Sequence, residues 1–176
     1  MGNKLYSIGH SNRTLEEFIS LLKVHTIKQI VDVRSMPKSR HNPQFNKNDL
    51  AKRLRNAGIG YRHMKQLGGL RRTKADSSNL GWKNLSFRGF ADYMQTEKFA
   101  EALKKLKGIA SKKKTAIMCA EALPWRCHRS LISDVFTKDH WQVFGIISLK
   151  TAKPHNLTSF LRVRKGKILY PRLRPN

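Results

Sequence analysis

Hydrophobic residues alternate between two rhythms along this chain: short apolar runs, and runs with helical spacing. Lys4 to Ile8 is a β-rich stretch, and Gly9-His10-Ser11-Asn12 reads as a turn. Thr14 and Glu17 have the spacing of a capping box, in which each side chain satisfies a free backbone N–H of the first helical turn. Leu15, Phe18, Ile19 and Leu22 then form one apolar face. Gln29 to Val33 predicts a strand, followed by a polar loop over Arg34 to Asn46. Lys47 to Ala57 predicts a helix closed by Gly58, and Ile59 to Met64 a further strand. Lys65 to Phe87 predicts the longest irregular segment, and Phe90 to Met94 one or two helical turns. Thr96 caps a clearer helix carrying Phe99, Leu103, Leu106 and Ala110. Thr115 to Cys119 has the composition of a buried strand, and Ala120 to Arg126 is a turn containing Pro124. A helix over Cys127 to Lys138 and a long strand over Trp141 to Leu149 complete the series.

This alternation predicts an α/β fold: a single domain with a mostly parallel sheet and helices on both faces. The length of 176 residues suits one domain. The α/β domain is expected over residues 1–149. Residues 150–176 form a basic C-terminal extension, with a β-hairpin turning at Lys165-Gly166-Lys167. Such sheets bind ligands outside the carboxyl ends of their strands. That rule selects His10-Ser11-Asn12, Asp32-Val33-Arg34, Arg62-His63 and Cys119-Ala120-Glu121.

Charge changes the picture next. Lys and Arg number 36 against 11 Asp and Glu, a net of +25. A field of this size concentrates polyanions and binds phosphate backbones in a salt-dependent way. After Asp139 there is no acidic residue. Arg162, Arg164, Lys165 and Lys167 there, with Arg71 and Arg72 in the long loop, are the candidate nucleic-acid contacts. No apolar run approaches the roughly 18 residues a membrane span needs, and no secretory signal pattern follows Met1. Membrane partners are not expected. Two cysteines and no signal suggest a reducing cytoplasm.

The densest chemistry is Cys119-Ala-Glu-Ala-Leu-Pro-Trp-Arg-Cys-His-Arg129. A buried strand delivers Cys119 and Glu121 to the crevice, and a helix starting near Cys127 turns its free N–H groups toward it. Such a place suits an anion and lowers the pKa of Cys127. The candidate catalytic residues are Glu121 as acid or base, His10, and Cys127 as nucleophile. Ser11, Asn12, Arg34, Arg126, His128 and Arg129 are the candidate substrate-binding residues. Neither a metal nor a cofactor is implied. A deaminase-type zinc site would need a later Pro-Cys-x-x-Cys, and adjacent Cys127 and His128 rarely reach one tetrahedral ion. A cysteine-phosphatase loop has five residues between Cys and Arg, and the spacing from Cys119 to Arg126 is longer. Walker and Gly-x-Gly-x-x-Gly loops are absent. Three readings stay open. The first is an enzyme acting on a phosphate-bearing substrate, a nucleotide or nucleic acid. The second is a noncatalytic nucleic-acid binder. The third is a rhodanese-like sulfurtransferase, echoed by Val31-Asp32-Val33-Arg34 and a Cys after a central strand.

One family resemblance runs through the chain. It is carried by Tyr6-Ser-Ile-Gly-His-Ser-Asn-Arg-Thr14, Val31-Asp-Val-Arg34 with Pro37, and Asn42-Pro43-Gln-Phe45. Leu67-Gly-Gly69, Phe90-Ala-Asp-Tyr-Met94 and Cys119-Ala-Glu with Cys127-His-Arg129 continue it. These strings resemble the uncharacterised DUF 488 family, from about Tyr6 to Ser148. The resemblance names a fold unit and shared motifs, not a reaction. It implies that His10, Arg34, Glu121, Cys127, His128 and Arg129 belong to one constellation. The basic extension departs from the shared portion.

Overall fold

A computed structural model describes residues 2–173 of the chain. Strands β1 (Lys4–Gly9), β2 (Gln29–Asp32), β3 (Gly60–His63), β4 (Thr115–Cys119) and β5 (Gln142–Ile146) run parallel, and β6 (Ala152–Pro154) joins antiparallel to β5. The sheet order is β3-β2-β4-β1-β5-β6. The helices are α1 (Leu15–Val24), α2 (Lys47–Asn56), α3 (Leu85–Tyr93), α4 (Glu97–Ala110) and α5 (Arg129–Lys138). A separate hairpin pairs β7 (Arg162–Arg164) with β8 (Lys167–Leu169). This is the α/β domain that the alternation predicts. No helix among the described residues is long and apolar enough to cross a membrane.

Strand alternation divides the core in two. Tyr6, Ile8, Ile30, Ala116 and Met118 face α1 and α2, where Phe18, Leu22, Leu50 and Leu54 are buried. Leu5, Val31, Ile117 and Cys119 face the other way, toward Phe90, Phe99, Leu106, Leu131 and Phe136 of α3, α4 and α5. Each such aliphatic or aromatic side chain stabilises the fold by ~1.5–3 kcal/mol through burial. The Thr14–Glu17 capping box is formed, with both reciprocal hydrogen bonds present.

Three boundaries differ from the sequence expectation. The turns expected at Phe90–Met94 are the end of a full helix that starts at Leu85, where Asn84 accepts from the Ser86 and Phe87 N–H groups. Gly89 disguises this helix, because Gly lowers helix propensity by ~1 kcal/mol. A side chain there would strike the Arg71 carbonyl, so close packing of the preceding loop requires the glycine. The helix expected from Cys127 begins at Arg129. The last parallel strand stops at Ile146, because the chain turns through Ser148 and Thr151 and returns as β6.

Two buried carboxylates fasten the irregular segments. Asp92 accepts from the Lys74 N–H (2.9 Å), the Ser77 hydroxyl (2.6 Å) and the Asn79 amide (2.8 Å), which holds the long loop onto α3. Asp134 on α5 accepts from His155 Nε2 (2.8 Å), the Thr158 hydroxyl (2.7 Å) and the Tyr170 hydroxyl (2.8 Å). Residues beyond β6 are thereby tied to the domain, with Ile168 and Tyr170 buried in its core.

Candidate functional site

The topology reverses at one place. After β1 the chain crosses to β2 over the α1 face, and after neighbouring β4 it crosses to β5 over the α5 face. Right-handed crossovers in opposite directions must use opposite faces, which leaves a crevice between the two departing loops. The loops stay joined by backbone bonds there: the His10 N–H donates to the Cys119 carbonyl (3.0 Å) and the Ser11 N–H to the Ala120 carbonyl (2.9 Å). Gly9 permits this approach, since any side chain there would overlap the Glu121 backbone.

Beside this point lies a cleft of about 440 Å³. Cys119 and Cys127 line it together with Glu121, Arg126, His128 and Arg34, while Asn84 and Phe87 at the start of α3 form the facing wall. Larger hollows of about 780 and 600 Å³ lie along α2, but they hold no thiol or imidazole. No cluster of three or more His, Cys, Asp or Glu side chains among the described residues is arranged to hold a metal ion.

The two thiols meet in this cleft, with Cys119 Sγ 3.0 Å from Cys127 Sγ. Arg129 lies behind them, fully buried. Its Nε donates to Cys127 Sγ (3.0 Å), Nη1 donates to the Ser7 hydroxyl (3.0 Å) and Nη2 donates to the Glu121 carbonyl. The backbone N–H of Arg129, at the start of α5, also points to Cys127 Sγ (3.4 Å). The Cys119 hydrogen bond holds the Cys127 thiol well below its usual range; burial opposes this, and His128 and Arg129 reinforce it. The same hydrogen bond and burial push Cys119 up. The two shifts run in opposite directions, Cys127 toward the thiolate and Cys119 toward the thiol. Burial disfavours the Arg129 cation, but the sulfurs outweigh that and raise its pKa.

A second buried arginine stands at the end of β2. Arg34 Nε and Nη2 donate to the two Asp32 carboxylate oxygens (2.9 and 2.6 Å), and Nη2 also donates to the Phe45 carbonyl (2.8 Å). The Tyr61 hydroxyl donates to Asp32 as well (2.6 Å). Burial and the Asp32 charge push the Tyr61 hydroxyl above its usual range. His10 completes this network, stacked on Phe45 with ring centres 4.3 Å apart. Arg34 Nη1 donates to His10 Nε2 (3.3 Å), so His10 Nδ1 keeps the proton and donates to the Ser11 carbonyl (2.7 Å). Burial foremost, with the nearby guanidinium charges, brings His10 down to about 4. It is a neutral imidazole at neutral pH.

The structure thus brings Arg34, Glu121, Arg126, Cys127 and His128 to one cleft, and adds Cys119. His10 and Arg129 lie buried behind it. Ser11 and Asn12 hydrogen-bond to each other and do not line it. His128 donates through Nε2 to the Val33 carbonyl (3.0 Å), which ties the end of β2 to the start of α5. Arg71 is turned inward, over the Tyr93 ring (3.7 Å) and onto the Gly68 carbonyl (3.0 Å). Arg72, Arg162, Arg164, Lys165 and Lys167 are exposed. Sequence reasoning missed Asp32 as the partner of Arg34 and Cys119 as the partner of Cys127. The Asp-x-Arg spacing on a strand end was a usable signal for the first, because residues two apart share a face.

Comparisons add a family and nothing more specific. No curated protein and no solved structure matches this chain. A family described as a domain of unknown function, DUF488, matches residues 14–136, a span that includes β2, β4, the Cys119–Cys127 loop and most of α5. The chain belongs to the DUF488 family.

Proposed function

We propose that this protein is a cytoplasmic enzyme that uses the Cys127 thiolate as nucleophile on an anionic, phosphate-bearing substrate seated in the cleft. The observation that carries this reading is Cys127 Sγ held between Arg129 Nε and Cys119 Sγ, each 3.0 Å away, at a cleft wall. A thiolate is the nucleophilic form of cysteine, and a guanidinium with a helix N-terminus behind it is a recognised way to populate it. Arg126 is exposed on the cleft and makes no ion pair with a carboxylate among the described residues, so it is available to a substrate anion. Among the described residues Glu121 is the one carboxylate lining the cleft, and it is assigned the proton transfer to the leaving group.

The test is the pH dependence of alkylation by iodoacetamide, followed by mass on the Cys127 peptide. An ordinary thiol near pKa 8.5 slows about tenfold for each pH unit below that. Cys127 is expected to react at a nearly constant rate between about pH 5 and pH 8. A rate that climbs with pH like that of a free thiol overturns the reading.

The noncatalytic nucleic-acid reading rests on a separate observation, the exposed Arg162, Arg164, Lys165 and Lys167 of the β7–β8 hairpin. Changing all four to Ala should flatten the salt dependence of single-stranded RNA binding, by up to roughly 0.7 in slope for each phosphate no longer neutralised. An unchanged slope removes the hairpin from any such interface.

A further inference from the structure

The nucleophile just proposed has a second thiol against it, and that neighbour restricts the chemistry. Cys119 Sγ is about 1 Å beyond disulfide-bond length from Cys127 Sγ. Arg129 is fully buried and forms no ion pair with a carboxylate among the described residues. A buried cation without a counter-charge costs several kcal/mol. The thiol pair, with one proton between two sulfurs, supplies that counter-charge.

Once Cys127 forms a covalent bond it can no longer carry the charge. Arg129 stays where it is, and the sulfur left to balance it is Cys119. Formation of an adduct on Cys127 therefore favours ionisation of Cys119, whose sulfur already touches Cys127 Sγ. A thiolate in that position displaces a group bonded to Cys127 Sγ when that bond is one sulfur can exchange. A thioether, thioester or phosphothioester adduct places its electrophilic carbon or phosphorus one bond further out. A sulfur–sulfur adduct places the electrophile at Cys127 Sγ itself.

We infer that Cys119 is the resolving thiol of this site, and that the substrate is an anionic compound containing a sulfur–sulfur bond, a disulfide or persulfide. This rests on the reading of Cys127 as nucleophile. With a disulfide R–S–S–R′, the Cys127 thiolate attacks one sulfur, the S–S bond breaks, and R′S⁻ leaves. The proton released by Cys119 reaches R′S⁻ through Glu121, the carboxylate assigned above to protonate the leaving group. The Cys119 thiolate then attacks Cys127 Sγ, expelling RS⁻ and closing a Cys119–Cys127 disulfide. Two cysteine sulfurs are oxidised and the substrate S–S bond is reduced by two electrons. A persulfide follows the same steps: Cys127 takes the outer sulfur, and Cys119 expels it as hydrosulfide. A dithiol reductant, exchanging its own thiols for a disulfide, restores the pair and releases one proton. The oxidised pair leaves Arg129 without its counter-charge, which favours the return to the reduced form.

The chain has only two cysteines, so thiol counting has no background. The probe is 5,5′-dithiobis(2-nitrobenzoate), an anionic aromatic disulfide, added in slight excess to the reduced full chain. The native chain is expected to release two thionitrobenzoates and to end two hydrogens lighter. Cys119→Ser and Cys119→Ala are each expected to release one, retaining the other half as a mixed disulfide on Cys127. Glutathione persulfide provides the second arm, read as hydrosulfide released by the native chain and lost in both Cys119 variants. Reaction in one arm alone identifies which of the two substrates the cleft accepts. A native chain that stops at the Cys127 mixed disulfide, or Cys119 variants that release both halves, overturns the resolving role while Cys127 remains the nucleophile. Failure of Cys127 to form the mixed disulfide overturns the nucleophile reading beneath it.

Discussion

Two buried arginines lie at the carboxyl end of the same sheet and have opposite consequences. Arg34 presents two N–H groups of its fork to Asp32, whose carboxylate accepts both, and Tyr61 adds a third donor. Such a bidentate pair spreads its charge over two oxygens and leaves no group able to attack a substrate. Arg129 directs one N–H to Cys127 and spends the others on the Ser7 hydroxyl and the Glu121 carbonyl. Its counter-charge sits on one polarisable sulfur that also faces the cleft. The same cation is locked onto a carboxylate in one place and aimed at a thiol on a cleft wall in the other. The partner decides which.

The largest test of that contrast replaces each arginine by methionine, which keeps much of the volume and removes the charge. Arg34→Met strands a carboxylate inside the protein and should cost about 3–5 kcal/mol, measured by urea unfolding. The pH profile of Cys127 alkylation in the folded fraction should not change. Arg129→Met strands nothing of that kind, because the thiol pair takes up a proton. It should cost about 1–3 kcal/mol through the Ser7 and Glu121 acceptors it leaves behind, and it should turn the flat profile into one that climbs with pH. Equal costs with unchanged profiles would erase the distinction between the two networks.

A smaller effect separates the networks by pH. His10 belongs to the Arg34 side, and its folded pKa of about 4 lies below the ordinary value of 6.5. Between those values the unfolded chain binds the additional proton, so stability falls as pH drops from about 6.5 to about 4, by up to about 3 kcal/mol. His10→Gln should flatten that window. Cys127, held low in the fold, makes the unfolded chain the better proton binder over a window that reaches higher, toward the usual thiol range. A residual slope above pH 6.5 should therefore persist in His10→Gln and disappear in Cys127→Ser. Urea midpoints across the pH range measure both. A His10→Gln slope identical to that of the native chain would place the His10 proton elsewhere.

Much of the fold was legible because it rests on local signals. Apolar periodicity located all five parallel strands, and the Thr14 and Thr96 caps announced α1 and α4. The start of α3 was hidden, since Gly89 is there for its close approach to the Arg71 backbone, a tertiary cause. The strand-end rule pointed to Arg34 and Glu121, and the expected helix start near Cys127 added Cys127 and His128; all four line one cleft. It could not say which arginine meets which anion. Cys119 and Cys127 are eight positions apart, but their meeting depends on how the turn through Pro124 folds back. The Ser7–Arg129 bond spans 122 positions, and neither residue predicts the other.

The smallest test removes one hydroxyl from each network. Tyr61→Phe takes a donor from Asp32 and leaves the Arg34 fork in place. Ser7→Ala takes an acceptor from Arg129 and leaves Cys127 Sγ and the Glu121 carbonyl. Each removes one hydrogen bond to a charged group, so each should cost about 1.5–3 kcal/mol. Stability alone therefore says little about which network is reactive. The alkylation profile separates them. Losing the Tyr61 hydroxyl affects a carboxylate that takes no part in the thiol chemistry, and the profile should be unchanged. Losing the Ser7 hydroxyl frees the guanidinium from one of its three ties, and its fixed aim at Cys127 weakens. The acid end of the plateau should then rise, so that the rate near pH 5 falls while the rate near pH 8 holds. An identical profile for the two variants would mean that the position of Arg129 is set by Cys127 and the Glu121 carbonyl alone, with Ser7 only filling space.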